Sequence, residues 1–259
     1  KIFLALQFLT IIPMQETGEV SNEEIGKTTA VFPLVGFAEG VVLAFMAALF
    51  LKLFPSELTN ALLVLILAVM NGGLHLDGIS DTFDAVASRG DRAKKLEIMK
   101  DSSVGPMGVV SIVMTLLLKY VLLNAVSFES TSTAYLMTVL AMPVLSRWSM
   151  VTAAYYGEPA RKDGLGRLFI EQTGSRQLIT ATVTALVLLS LLCAVVSEFS
   201  LLMFLGMFAM PVLYAFSFGA VWFFRKMFGG LTGDSLGAIN ELGVLIFLLS
   251  VVINNTGQA

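Results

Sequence analysis

Long apolar runs constrain this chain more strongly than any other feature. Several reach about 20 residues, the length at which a helix crosses the hydrocarbon core of a bilayer. Only 14% of the residues are charged, whereas a soluble domain carries about 25%. We therefore predict an all-α fold, a polytopic membrane helical bundle of about seven transmembrane helices with a short N-terminal interfacial helix.

The predicted spans belong to a single integral membrane domain, residues 1–259. They lie at residues 30–54, 58–71, 107–128, 133–155, 177–196, 201–224 and 238–253. The second span is short for a bilayer, and we expect it to continue through Gly72–Leu76. Most of the 16 Lys and Arg residues fall in the loops 72–106, 156–176 and 225–237. The positive-inside rule places these loops in the cytoplasm, and we expect the membrane to be a bacterial or archaeal cytoplasmic (inner) membrane.

The most distinctive polar segment follows the second apolar run. It contains Asp77, Asp81 and Asp84, whose spacing places three carboxylates on one face of a helix. Each charge would cost about 2.5–3.5 kcal/mol at the centre of a bilayer, so the set must face water, a polar cavity or a metal. Oxygen ligands of this kind suit Mg²⁺. We interpret the triplet as a metal site; the alternative is a solvated helix start with Asp77 as its N-cap.

Glycines flank the acidic residues and would let a phosphate or a neighbouring helix approach the backbone closely. Those that we predict to contact substrate are Gly72, Gly73, Gly78 and Gly233. A second acidic pair, Asp234 and Glu241, lies two turns apart and is predicted to complete the metal site; the alternative is a capping Asp and a Glu paired with Arg225 or Lys226. Asp101 and Ser102, in the loop before Gly105, are predicted to bind metal and substrate respectively, with a plain helix cap as the alternative.

Histidine and buried cations supply the remaining candidates. His75 is the only histidine and is predicted to act as a base or to orient a carboxylate, with a structural role as the alternative. Arg147 lies inside an apolar span, where an unpaired charge is costly, so we expect it to meet a carboxylate or a substrate phosphate. Glu39 is predicted to pair with Arg147 or Lys119, or to line the substrate cavity.

Several reaction classes are excluded by the residues. The chain has no Walker loop, no dinucleotide-binding fingerprint and no Cys/His set that would hold zinc. An aspartate-rich, glycine-flanked magnesium site on the cytoplasmic loops remains. Such a site bridges diphosphate oxygens and neutralises a departing phosphate. The residues alone therefore indicate a membrane transferase acting on a diphosphate substrate.

Three motifs together resemble the cobalamin synthase family, the adenosylcobinamide-GDP ribazoletransferases of vitamin B12 biosynthesis. They are Gly72–Gly78 with Asp81 and Asp84, Ile98–Ser102 with Gly105 and Gly108, and Gly230–Asp234 with Glu241. The resemblance runs nearly end to end. Asn71 and Ala85 depart from the family pattern, where Thr and Gly are usual, and neither is a predicted ligand.

The resemblance implies a concrete reaction. α-Ribazole, or its 5′-phosphate, would attack the cobinamide-side phosphorus of adenosylcobinamide-GDP, giving adenosylcobalamin or its 5′-phosphate and releasing GMP. On that basis Mg²⁺ is the expected cofactor, with Asp77, Asp81, Asp84, Asp101, Asp234 and Glu241 as its ligands. His75, Asp81 and Asp84 would be catalytic, and Arg147 would steady the phosphates. The expected partners are these two substrates and membrane lipids, without nucleic acid; a homo-oligomer stays open.

Other functions fit the residues less well. A CDP-alcohol phosphotransferase would have an Ala-Arg pair where Ile79-Ser80 follows Asp77-Gly78. The Asn-Asp-x-x-Asp start of ubiquinone-type prenyltransferases is absent. A transporter would use Glu39, Lys119 and Arg147 as coupling residues, whereas most acidic residues here lie on one face of the membrane.

Overall fold

The computed structural model describes residues 2–13, 21–130, 132–195 and 204–256, and within these ranges every regular element is a helix. The α-helices are α1 (Ile2–Leu9), α2 (Asn22–Gly26), α3 (Phe32–Phe50), α4 (Ser56–Met70), α5 (Leu74–Ala87), α6 (Arg92–Ile98), α7 (Pro106–Glu129), α8 (Ser132–Tyr156), α9 (Leu165–Gln172), α10 (Ser175–Val195), α11 (Met210–Phe228) and α12 (Gly233–Thr256). A 3₁₀ turn, Lys27–Val31, joins α2 to α3, and a π turn, Leu205–Ala209, precedes α11.

Six helical segments are long and apolar enough to cross a membrane. They are Asn22–Phe50, Pro106–Phe128, Ser132–Tyr156, Ser175–Ala194, Met207–Phe228 and Gly233–Thr256. The bent pair α4 and α5 brings the number to seven if the pair counts as one span. The prediction of an all-α polytopic bundle is confirmed. Residue 196 of the fifth predicted span and residues 201–203 of the sixth lie outside the described residues.

Helix α8 forms the centre of the bundle. Its residues from Thr138 to Ala154 are all buried, and α3, α10, α11 and α12 pack around it. Gly36 and Gly40 allow the α3 backbone to touch α8: a Cβ at these positions would lie 2.3 Å from the Pro143 carbonyl oxygen and 2.2 Å from that of Leu140. Small residues four apart are the usual means of close helix packing in a membrane.

The chain turns sharply between α4 and α5. We expected the second span to run on through Gly72–Leu76, whereas α4 ends at Met70 and α5 leaves it at an angle of 87°. Gly72 and Gly73 have φ of +57° and +72°, a left-handed conformation that favours glycine. Two glycines therefore end the apolar helix and redirect the chain. The region predicted as the loop 72–106 contains α5 and α6 as well as turns.

Helix α5 is held from three sides. Gly78 faces α12, where a Cβ would lie 2.8 Å from the Asp234 carbonyl oxygen. The buried Lys95 ammonium of α6 donates hydrogen bonds to the carbonyls of Ala85, Val86 and Ser88 at the C-terminal end of α5. Cations stabilise this end of a helix because its last carbonyls lack partners. Asp84 binds the start of α7, as described below.

Candidate active site

A cavity of about 300 Å³ opens beside the starts of α5 and α12. One wall is apolar and includes Phe8 and Leu9 of α1 and Phe169 of α9. The polar side comes from α5, α9, α12 and the segment between α8 and α9. Its charged residues are Asp77, Arg161, Asp163, Arg167 and Asp234. A concave apolar site with a few convergent charged groups is typical of a small-molecule pocket.

A short backbone bridge brings two distant segments to this cavity. The amide of Ala160 donates to the Leu231 carbonyl at 2.8 Å, and the amide of Leu231 donates to the Glu158 carbonyl at 2.7 Å. The contact requires glycine at position 230, because a Cβ there would lie 2.3 Å from the Glu158 carbonyl oxygen. Arg161, the residue after Ala160, is thereby placed beside Asp234, and its Nη1 lies 3.3 Å from Oδ2.

Asp77, Asp81 and Asp234 form an acidic cluster at the cavity rim, where Asp77 and Asp234 line the cavity and their charges act on the half-buried Asp81. Burial raises the pKa of Asp81 to about 7, and the negative charges of Asp77, Asp234 and Asp84 contribute further to this rise. Helix α5 is not one of the six long spans, and Asp81 on it is half-buried. A carboxyl group whose pKa is raised by burial and by like charges is typical of functional sites.

The alternative interpretation, in which Asp77 is the N-cap of α5, is wrong. Gly73 occupies that position, and Asp77 lies in the first turn with its amide bonded to the Gly73 carbonyl at 2.8 Å. Its side chain faces the cavity. A carboxylate in the first turn is also stabilised by the free amides of the helix start. Asp77 is therefore available to a ligand.

Asp84 occupies a different environment from its two neighbours. Its Oδ2 accepts from the Gly105 amide at 2.7 Å and its Oδ1 accepts from the Gly108 amide at 2.8 Å. These are amides at the start of α7, so Asp84 caps that helix across the α5–α7 contact. A Cβ at Gly105 or Gly108 would lie within 2.5 Å of the carboxylate, which explains both glycines of this motif.

Arg147 lies deep in the bundle, with 1% of its surface exposed. Its Nη2 donates to Glu39 Oε1 at 2.7 Å and to Asn71 Oδ1 at 2.6 Å. Its Nη1 contacts His75 Nε2 and donates to Asn240 Oδ1 at 3.3 Å. The expectation that Arg147 meets a carboxylate is confirmed by Glu39. The predicted phosphate contact of Arg147 stays a prediction, and its guanidinium is enclosed by protein groups.

The contact with Arg147 fixes the tautomer of His75. A guanidinium only donates hydrogen bonds, so Nε2 of His75 accepts and Nδ1 carries the proton. Burial lowers the pKa of His75 well below its usual range, and the positive charges of Arg147 and Lys119 reinforce this. Its side chain lines the cavity, but the nitrogen able to accept a proton faces Arg147.

Glu241 and Asp234 are separated by depth. Glu241 is buried and forms an ion pair with Lys119 of α7, not with Arg225 or Lys226. Asp234 is at the cavity rim with Arg161. Two helical turns along α12 separate them by about 10 Å. The structure therefore does not bring Glu241 to the acidic cluster.

Asp101 and Ser102 are exposed in the loop before α7. The Asp101 carboxylate accepts from the Ser103 amide at 3.0 Å, and hydrogen bonds from Ser103 lower its pKa. Of the predicted glycines, Gly233 lines the cavity, Gly72 and Gly73 make the turn before α5, and Gly78 packs against α12.

Comparisons with known proteins identify the family. The family model described as cobalamin-5-phosphate synthase matches residues 1–252. The chain is 39% identical to an adenosylcobinamide-GDP ribazoletransferase of Geotalea daltonii, over 96% of each chain. It is 34% identical to the protein of that name in Thermodesulfovibrio yellowstonii, over 98% of this chain and 96% of the relative. The chain belongs to the cobalamin-5-phosphate synthase family. No solved structure matches.

Membership of the cobalamin-5-phosphate synthase family confirms the resemblance drawn from the three motifs. The structure explains why the motifs occur together. The first and third meet where Gly78 packs against the start of α12, and the first and second meet where Asp84 caps α7. The motifs are therefore parts of a single assembly around α5.

The donor set at the rim fits Mg²⁺ by its chemistry. Among the described residues, no three His, Cys, Asp or Glu side chains converge closely enough to hold an ion by themselves. Mg²⁺ is commonly bound by one or two carboxylates, with waters and substrate phosphates as its other ligands. The acidic cluster offers only carboxylate oxygens, and the negative charges of Asp77, Asp234 and Asp84 add to the effect of burial on the pKa of Asp81. These are the features that such a shared site requires.

Sequence reasoning did not identify Arg161 and Arg167 as cavity residues. Both belong to a basic loop that was assigned to membrane topology. The signal that could have singled them out is the Asp163–Gly166 segment between them, whose glycines favour a close-packed loop. The partner of Arg161, Asp234, is far away in the sequence, and only the backbone bridge brings the two together.

Proposed function

We propose that the chain is a membrane transferase that joins adenosylcobinamide-GDP to α-ribazole or its 5′-phosphate. The products are adenosylcobalamin, or its 5′-phosphate, and GMP. The reaction is taken from the relatives that carry this name across nearly their whole length. The observation that supports it in this chain is the acidic cluster at the rim of a cavity, beside a guanidinium.

The proposed reaction is a single displacement at phosphorus. A ribazole hydroxyl oxygen forms a bond to the cobinamide-side phosphorus, the bond from that phosphorus to the bridging oxygen breaks, and GMP leaves with the bridging oxygen. Catalysis of this kind depends on positioning and on charge stabilisation. The cavity would hold the reacting groups beside the cluster, and its apolar wall would limit access of water.

We assign Asp77 and Asp234, the two carboxylates of the cluster that line the cavity, as the residues that would hold Mg²⁺. When bound, the ion would neutralise charge on the diphosphate and on the departing GMP. The separation of Asp84, Asp101 and Glu241 from this group supports the smaller set. Asp84 would act by fixing α7 against α5, and Glu241 by pairing with Lys119.

Asp81 is the preferred acceptor for the proton of the attacking hydroxyl. An efficient general base has a pKa near the working pH, and that of Asp81 is raised to about 7. His75 is less suited, because its Nε2 faces Arg147 and its Nδ1 carries the proton. We therefore assign His75 to positioning of α5 and not to proton transfer.

The proposed location is the cytoplasmic (inner) membrane with the cavity facing the cytoplasm. The basic loops that support this orientation include Arg161 and Arg167, which line the cavity itself. This arrangement would release GMP into the cytoplasm, and water-soluble substrates would reach the site without crossing the bilayer.

The deciding experiment measures GMP release by the purified protein in detergent or liposomes. The protein receives adenosylcobinamide-GDP, α-ribazole 5′-phosphate and Mg²⁺, with EDTA and Asp81→Asn as controls. We expect GMP and a cobamide product in equal amounts, both lost with EDTA and in the variant. No GMP from folded protein would refute the proposed reaction, and turnover in EDTA would refute the role of Mg²⁺.

A further inference from the structure

We propose that Arg161 is the residue that binds the diphosphate of a nucleotide in the cavity. The ligand class is a nucleoside diphosphate, and the contact would be a forked pair of hydrogen bonds to phosphate oxygens. This inference rests on the proposed function, because a diphosphate substrate is part of it. It adds a substrate-binding residue that lies outside the aspartate motifs.

The backbone on which Arg161 sits is fixed. The bridge between Ala160 and Leu231 ties this segment to the chain just before α12. Because Gly230 approaches the Glu158 carbonyl too closely to carry a side chain, the bridge is a tight contact. Arg161 is therefore anchored beside the cavity at the same place as Asp234, and its guanidinium needs no loop rearrangement to reach the rim.

The guanidinium of Arg161 has donors that the protein does not use. Nη2 donates to the Leu96 carbonyl at 3.1 Å, and Nη1 reaches Asp234 Oδ2 at 3.3 Å. Nε is buried and has no hydrogen-bond acceptor in the described ranges of the chain. A guanidinium carries five N–H donors, and a tight pair with a carboxylate would be about 2.7–2.9 Å long. Arg161 is held in place but incompletely bonded.

The other arginine of the cavity differs in this respect. Arg167 Nε donates to Glu171 at 2.7 Å, and its Nη1 contacts the Lys162 carbonyl. Its carboxylate partner is on the next turn of the same helix, and both side chains are more than a third exposed. Arg161 has only 17% of its side chain exposed and faces the acidic rim. The less exposed, under-bonded cation is the better phosphate ligand.

Charge and size agree with a diphosphate. Asp77 and Asp234 line the same cavity, so an anion can enter only where a cation offsets them. A volume of about 300 Å³ lies at the lower end of ligand pockets and accommodates part of a nucleotide. Arginine suits this task because its planar fork matches two phosphate oxygens, a geometry that lysine does not reproduce.

Equilibrium binding of GDP and GMP to the purified protein in detergent with Mg²⁺ tests the proposal. We expect the unmodified protein to bind GDP more tightly than GMP. Arg161→Gln should weaken GDP binding about tenfold or more, the usual effect of losing hydrogen bonds to a charged group, and should bring the GDP and GMP affinities together. Arg161→Lys should restore only part of the difference, because the charge remains without the fork.

Arg225→Gln is the matched control. Arg225 is also an arginine paired with a carboxylate, Glu158, at 3.4 Å, but both side chains are two-thirds exposed. This variant should bind both nucleotides as the unmodified protein does. Size-exclusion profiles and thermal unfolding of each variant verify folding, and Arg161→Lys keeps the test informative if Arg161→Gln does not fold.

Three results would overturn the proposal. They are absence of GDP binding by the unmodified protein, unchanged GDP affinity in Arg161→Gln, and an equal loss for GDP and GMP, which would indicate a general effect on the cavity. The reaction is judged separately by GMP release. If GDP binding depends on Arg161 but the protein releases no GMP, only the proposed function is refuted. If the protein releases GMP but Arg161→Gln binds GDP as the unmodified protein does, only this inference is refuted.

Discussion

Two polar regions of this protein lie close together but are built in opposite ways. The buried network around Arg147 joins Glu39, Asn71, His75 and Asn240 from four different segments. The acidic cluster at the cavity rim has several carboxylates and one incompletely bonded arginine. In the first region Arg147 is paired with Glu39 and enclosed by protein groups, whereas Asp77, Asp234 and Arg161 of the second line a cavity that a ligand can enter.

The difference separates a structural role from a ligand-binding role. A buried charge without a partner is expensive, so a network inside the bundle must be completed by protein groups. At a cavity rim, the missing partner is supplied by a ligand. The presence of charged residues in an apolar chain is therefore less informative than whether each charge is paired inside the bundle or lines a cavity. Arg147, paired with Glu39 deep in the bundle, therefore belongs to the fold, and Arg161, which lines the cavity, is the candidate for the substrate.

The largest expected effect is on catalysis at the rim. Asp81→Asn should reduce GMP release about 10²–10⁴-fold, the range for loss of a general base, while leaving the unfolding temperature close to that of the unmodified protein. Glu97→Gln is the control, because Glu97 forms an exposed ion pair with Lys94 on α6. If Asp81→Asn kept full turnover, the rim would not be the active site.

The buried network should show the reverse pattern, a loss of stability. Arg147→Met leaves the buried Glu39 carboxylate without its partner, and breaking such a pair costs about 3–5 kcal/mol. We expect the double variant Arg147→Met/Glu39→Gln to recover part of this free energy of unfolding, because the orphaned charge is then removed. Equilibrium unfolding in detergent measures both. Unchanged stability in Arg147→Met would refute the structural role of the network.

The sequence predicted the membrane bundle because span length and apolarity are local properties. It did not predict the sharp turn at Gly72–Gly73, because two glycines allow a left-handed conformation without requiring it. It identified Asp77 and Asp81 through their spacing on one helix. The sequence did not predict which side chains pair between helices. The partner of Glu241 is Lys119, from a helix more than a hundred residues earlier.

The predicted ligand set was larger than the structure supports for the same reason. Spacing along α12 places Asp234 and Glu241 on one face, but only the packed bundle shows that one is at the rim and the other among buried helices. Arg161 was not identified because its place beside the site depends on the backbone bridge between Pro159 and Leu231. No periodic pattern in the sequence predicts that bridge. Depth and long-range contacts, not residue type, decide these assignments.

The pH dependence of turnover tests the raised pKa of Asp81 directly. Because the pKa of Asp81 is raised to about 7, the carboxylate is protonated below that pH, and GMP release should increase as pH rises through about 7. Asp77→Asn removes a like charge beside Asp81, so the increase of its residual GMP release with pH should occur at lower pH. If GMP release by the unmodified protein instead rose at a pH near the ordinary pKa of an aspartate, the assignment of Asp81 as the base would be wrong.

The raised pKa also has a consequence for the protein without ligand. A carboxyl group that binds its proton more tightly when folded than when unfolded favours the folded state less as pH rises. Stability of the metal-free protein should therefore decrease between about pH 4 and pH 7, and Mg²⁺ should offset that decrease above pH 7. Thermal unfolding with and without EDTA measures it. If the unfolding temperature depended on pH in the same way with and without EDTA, Mg²⁺ binding at the cluster would be contradicted.

The smallest expected effect concerns Asp84. It shares a helix with Asp81, but its carboxylate is bonded to protein groups, as the residues of the buried network are. Both of its oxygens accept from amides of α7, so Asp84→Asn should cost about 1 kcal/mol of stability, as loss of a helix cap does. Turnover should fall less than tenfold. The contrast between Asp81→Asn and Asp84→Asn, two carboxylates one turn apart, is the most stringent form of the comparison. A loss of turnover in Asp84→Asn equal to that in Asp81→Asn, with stability retained, would return Asp84 to the catalytic set.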